Sequence, residues 1–111
     1  MIYTKDSVRF SILRVEIWSI FDKVYTVFHD HGYKTIITCG TEAHGPDDPH
    51  TFGFGLDFRS KHIETREEKE AIVAELRKSL GPIYTVIFEN PAKDNEHIHL
   101  QVRKDLWRTL I

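Results

Sequence analysis

The sequence predicts an α+β domain, with helices on one side of a small, mainly antiparallel sheet and a cleft on the other. Three observations lead there: apolar residues at helical spacing through residues 12–28, a second helical segment bounded by a start and a stop signal, and short β-rich runs elsewhere. At 111 residues the chain is long enough to bury one core and too short to divide, so residues 1–111 are expected to form a single domain with no linker.

The elements follow in order. Ser7-Val8-Arg9-Phe10 reads as a short edge strand and Ser11 as the N-cap of a helix. Ile12, Leu13, Ile17, Ile20, Val24 and Phe28 lie on the broad apolar stripe of that helix, which should end near Gly32. His29 and His31 fall in its last turn, where they suit the exposed carbonyls and read as structural. Lys34–Cys39 is rich in β-branched residues and reads as a strand broken by Gly40. Residues 41–49 are polar and breaker-rich, a loop of the kind that carries sites, and His44 within it either contacts a substrate, helps a metal or is a solvated histidine.

A strand over 52–58 would place Phe52, Phe54, Leu56 and Phe58 on one face, and Gly53, Gly55 and Asp57 on the other. Two glycines give a strand nothing to pack, so something should approach this backbone closely, and a metal ion beside Asp57 is the natural candidate. His50 then belongs to the loop that enters the strand, after Pro49. Thr65 and Glu68 fit a capping box that starts a helix, and Gly81-Pro82 stops it. Pro82–Glu89 reads as a buried strand, and 90–95 turns the chain back. Ile98, Leu100 and Val102 alternate with His97, His99 and Gln101 in a half-buried antiparallel strand.

Composition narrows the function. A formal net charge of −2 offers no basic field for nucleic acid, and no apolar run reaches the roughly 18 residues of a membrane span. No secretory signal is visible at the N-terminus, which is compatible with synthesis in the cytoplasm. Cys39 is the single cysteine, so no internal disulfide is expected and a metal site would be built from His and carboxylate. His50, Asp57 and His99 would complete the three-ligand set of a catalytic zinc, leaving Glu96 to act on the water. Spacing alone leaves open the alternative of exposed strand histidines and a solvated carboxylate.

The motifs are more specific than the spacing. His50-x-x-Gly53-x-Gly55-x-Asp57 followed by Glu96-x-x-His99 resembles the paired His-x-x-Gly-x-Ala-x-Asp and Glu/Asp-x-x-His motifs of the M15 zinc peptidases. That group contains D-Ala-D-Ala carboxypeptidases and phage endolysin L-alanyl-D-glutamate peptidases, and shares its fold with Hedgehog signalling domains. Asp57-Phe58-Arg59, Leu80-Gly81-Pro82 and Glu96-His97-Ile98-His99 look like its compact phage and prophage members.

The resemblance implies a Hedgehog/DD-peptidase-like fold and one zinc ion, with His50, Asp57 and His99 as ligands and Glu96 as catalytic base. It implies hydrolysis of peptidoglycan stem peptides, in cell-wall lysis or remodelling, after release or delivery by phage. His97 shares the parity of His99 and either lines the cleft or is a partly exposed strand residue. Glu96 has the opposite parity, so the pattern requires a turn or bulge between 95 and 98. The chain departs from the family at Gly55, where alanine is usual, and in lacking an upstream Arg, for which His44 or Arg59 is a candidate replacement. Arg59 equally suits a surface ion pair. The alternative function is a metal-stabilised binding module of the same fold that does not catalyse.

Overall fold

Alternation of buried and cleft-facing residues makes Gly55–Arg59 a strand, and it lies at the middle of the sheet. The computed structural model describes residues 1–42, 45 and 48–110. Its strands are β1 (Ile2–Thr4), β2 (Thr35–Cys39), β3 (Gly55–Arg59), β4 (Tyr84–Glu89) and β5 (His97–Val102). They form one sheet in the order β1-β2-β3-β5-β4, with β1 parallel to β2 and the other pairings antiparallel. The helices are α1 (Val15–Trp18), α2 (Phe21–Asp30), α3 (Arg66–Leu80) and, after a 3₁₀ turn at Lys104–Leu106, α4 (Trp107–Leu110). The molecule is therefore α+β, as predicted, with a mixed sheet. No helix among the described residues is long and apolar enough to cross a membrane.

Leu56, Phe58, Val86, Ile98, Leu100 and Val102 are buried on one sheet face. The ring of Phe28 on α2 lies 6.0 Å from that of Phe58, which places this helix against the core face. Each fully buried side chain of this size stabilises the fold by roughly 1.5–3 kcal/mol relative to exposure. The α3 start is as read from sequence: the Thr65 hydroxyl accepts from the Glu68 N–H at 3.1 Å, and the helix ends at Gly81.

Three boundaries differ from expectation. Ser7–Phe10 is not a strand, because Arg9 gives its carbonyl to the Thr41 N–H at 2.6 Å and its own N–H to Glu42. The edge strand is Ile2–Thr4 instead. The helix predicted from Ser11 begins only at Val15 and is interrupted at Ser19–Ile20. Its first residues are diverted: Arg14 donates from its backbone N–H to Gly53 O and from Nε to Phe52 O, both at 3.0 Å.

The strand expected from Phe52 begins at Gly55, since residues 50–54 form a tight turn closed by Gly53 N–H to His50 O and Phe54 N–H to Pro49 O. Gly53 has φ +77, and a Cβ there would lie 2.0 Å from the Ile12 carbonyl oxygen. The close approach read from that glycine is thus made by the chain's own backbone. Trp107, for which the sequence carried no expectation, stacks on Phe54 and donates its indole N–H to Val102 O at 2.9 Å.

Candidate metal centre

Strand register assembles most of the site. Asp57 pairs with His99, Arg59 with His97 and Gly55 with Gln101 across β3 and β5, while Ile87 and Glu89 of β4 lie opposite His99 and His97. The odd-numbered positions of these three strands therefore share the face that turns away from the core. His50 joins from the turn before β3, where Asp48 Oδ1 accepts its backbone N–H at 2.8 Å. A cleft of about 340 Å³ is lined by Pro49, His50, Asp57, Ile87, Glu89, His97, His99 and Gln101, among others.

The acceptor at the centre is Asp57 Oδ1. His99 Nδ1 lies 2.7 Å from it, His50 Nε2 3.2 Å and His97 Nε2 3.7 Å. Each histidine has its remote nitrogen on a neutral oxygen: His50 Nδ1 on Gly40 O at 2.8 Å, His97 Nδ1 on Asn95 O at 2.7 Å, and His99 Nε2 on Gln101 Oε1 at 2.7 Å. A neutral imidazole that donates outwards to such an acceptor keeps its lone pair on the inner nitrogen, the arrangement that outer partners impose on metal-binding histidines. A tetrahedral zinc with bonds of about 2.0–2.1 Å separates neighbouring ligand atoms by about 3.3 Å. The His50–Asp57 separation of 3.2 Å matches that edge, and the 2.7 Å to His99 is a hydrogen-bond length.

Protonation follows the same geometry. Burial disfavours the charged imidazolium of His50, but the hydrogen bond and charge of Asp57 outweigh it and raise its pKa to about 10. His99 is also raised, burial being outweighed by Asp57 and Gln101. Burial opposes ionisation of Asp57, yet the hydrogen bonds from His50 and His99 hold its carboxyl well below the usual range.

Cys39 also reaches this centre. A register shift between Ile37 and Cys39 sets Cys39 opposite Asp57, and Cys39, His50 and Asp57 present ligand atoms within 4.8 Å of one another, a group able to hold a metal ion. The expectation of a site built only from His and carboxylate is thus corrected, since a thiol stands in this group and His99 does not. Burial pushes the Cys39 thiol up, against the lowering effect of His50.

Glu96 is not brought to the cleft. β5 pairs without a bulge from His97 onwards, so parity turns Glu96 to the helix-facing side. There its carboxylate accepts from Ser60 Oγ at 2.7 Å, Lys69 Nζ at 2.9 Å and Ala92 N–H at 2.9 Å. Burial opposes its ionisation, but these donors win and lower its pKa to about 2. The bulge required between 95 and 98 is absent, and the nearest register shift lies on β2.

His97 does line the cleft. Arg59 shares the face of Asp57 but is exposed at the strand end, and is not among the residues lining the cleft. His44 lies outside the described residues. Gly55 keeps the face hollow for protein rather than metal: a Cβ there would lie 3.1 Å from Pro49 Cβ and 3.4 Å from His99 Cε1.

Cys39, Glu89 and Gln101 belong to the site without having been singled out in the sequence. For Glu89 and Gln101 the signal was available, because a hairpin between the predicted strands would set Glu89 beside His97, and Gln101 shares the parity of His99. Compared with known proteins, the chain matches no family model, no curated protein and no solved structure.

Proposed function

We propose that the chain is a zinc-dependent peptidase of Hedgehog/DD-peptidase-like fold that hydrolyses peptidoglycan stem peptides, with His50, Asp57 and His99 holding one zinc ion. The observation that carries this reading is the orientation of the histidines: His50 and His99 turn inner nitrogens on Asp57 Oδ1 while Gly40 O and Gln101 Oε1 take the outer ones. Metal would take the place of the proton between His50 Nε2 and Asp57 Oδ1, which already stand 3.2 Å apart. Bound zinc supplies a Lewis acid that polarises the scissile carbonyl and acidifies a water. The chain itself holds the imidazoles in one tautomer and keeps Asp57 ionised. His97 lines the wall against which the peptide would lie, and Cys39 offers a further donor within 4.8 Å of His50 and Asp57.

One observation favours a second reading. A carboxylate bound to Lys69 is no base for the cleft, so the placement of Glu96 supports a metal-stabilised binding module. One experiment decides between them. Metal-free protein is titrated with zinc and given the stem pentapeptide L-Ala-γ-D-Glu-L-Lys-D-Ala-D-Ala. One zinc per chain with release of D-Ala or cleavage after L-Ala supports the peptidase, one zinc without cleavage supports the binding module, and no zinc bound removes both.

A further inference from the structure

We propose that Glu89, not Glu96, is the carboxylate that accepts a proton from the attacking water in this cleft, an inference that rests on the zinc-peptidase reading. Glu89 ends β4 directly opposite His97. Its Oε1 lies 3.5 Å from His97 Nε2 and 3.8 Å from His99 Nδ1, the same nitrogen that meets Asp57 Oδ1. Two carboxylates thus stand near one imidazole nitrogen, and they differ in character. Asp57 is enclosed, with its side chain 14% exposed, whereas that of Glu89 is 38% exposed and open to water at the end of β4.

Distance separates a ligand from a base. At 3.8 Å, Glu89 stands farther from His99 than the roughly 3.3 Å that joins neighbouring ligands on a tetrahedral zinc, and farther than Asp57 does. It is placed to touch a molecule held at the metal rather than the metal itself. A general base needs hydrogen-bond reach to the proton it takes, and the cleft leaves Glu89 that room. Glu96 has no such access, its oxygens being taken by Ser60, Lys69 and Ala92.

The step balances without another reagent. The water oxygen forms a bond to the carbonyl carbon as one of its protons passes to Glu89 Oε1. That proton then passes to the amide nitrogen as the C–N bond breaks, releasing a carboxylic acid and an amine.

The test compares wild type and Glu89→Gln as full, zinc-loaded chains, with three readouts: zinc affinity by chelator competition, thermal midpoint, and turnover of the stem pentapeptide. Expected is a zinc affinity within about 3-fold of wild type, an unchanged midpoint, and turnover reduced about 100-fold or more, the scale of general-base catalysis. Turnover within about 3-fold of wild type would overturn the proposal while leaving the peptidase reading standing. A loss of zinc affinity beyond about 10-fold would overturn it by making Glu89 a ligand. A wild-type chain that shows no zinc-dependent cleavage would sink the peptidase reading, and this inference with it.

Discussion

Glu96 and His50 are both buried ionisable residues, and their pKa values move in opposite directions. Glu96 titrates at about 2 in the folded chain against an ordinary 4.5, so it stabilises the fold above pH 4.5 and that contribution disappears as pH falls through 4.5 towards 2. A displacement of this size corresponds to on the order of 3 kcal/mol. Glu96→Gln should therefore lower unfolding free energy by about that amount near pH 7 and flatten the acid limb of stability, as urea denaturation across a pH series would reveal. An unchanged acid limb would mean that the Lys69–Ser60–Ala92 cradle adds nothing. His50, raised to about 10, stabilises the metal-free chain below pH 6.5, and the contribution is lost as pH rises through 10. Zinc reverses the preference, because it needs the nitrogen that the proton occupies. With His50 protonated at pH 7, binding there should release at least one proton per zinc, measurable by calorimetry in buffers of different ionisation enthalpy. Release near zero would contradict the coupled His50–Asp57–His99 centre.

Local pattern and tertiary demand part company among the elements. The α3 helix carries its own instructions, a capping Thr65 and a terminating Gly81, and it forms where those residues stand. Residues 11–14 have apolar spacing suited to a helix but cross the 52–53 turn, where Arg14 is hydrogen-bonded and no room remains for a side chain at Gly53. Gly53→Ala should then cost about 2–4 kcal/mol, combining an unfavourable positive φ with displacement of the Ile12 backbone. Gly32→Ala is the control, since Gly32 has φ +83 with open space around its missing Cβ and should lose only about 1 kcal/mol. Equal midpoints for the two variants in thermal melts would show that the Ile12 approach is not tight. The β2 register shift acts on the site rather than on stability. Simple alternation from Ile37 would carry Cys39 to the core face, and the extra residue brings it to Asp57 instead.

In the whole molecule, the centre ties together parts of the chain that have little else in common: the 48–50 turn, the end of β2, and the facing strands β3, β4 and β5. A ligand that binds only this assembled arrangement stabilises the fold by mass action, by about 2.7 kcal/mol at a hundredfold excess over its dissociation constant. Zinc should accordingly raise the thermal midpoint by several degrees and a chelator should return it, with His99→Ala abolishing the response. A midpoint indifferent to zinc would leave Asp57 and its histidines as a purely ionic cluster. The sequence by itself determined the α3 helix, the strands from Lys34 onwards to within a few residues, and the alternation that puts His97 and His99 on one face and Ile98 and Leu100 in the core. These properties reside in the backbone period and in the few residues that cap or break it. Only the tertiary structure decided that Ile2–Thr4 closes the sheet, that Cys39 joins the centre, and that Glu96 faces Lys69 rather than the cleft. Those outcomes depend on register and on where distant backbone groups find hydrogen bonds, and one residue's shift in register exchanges the faces of every side chain that follows.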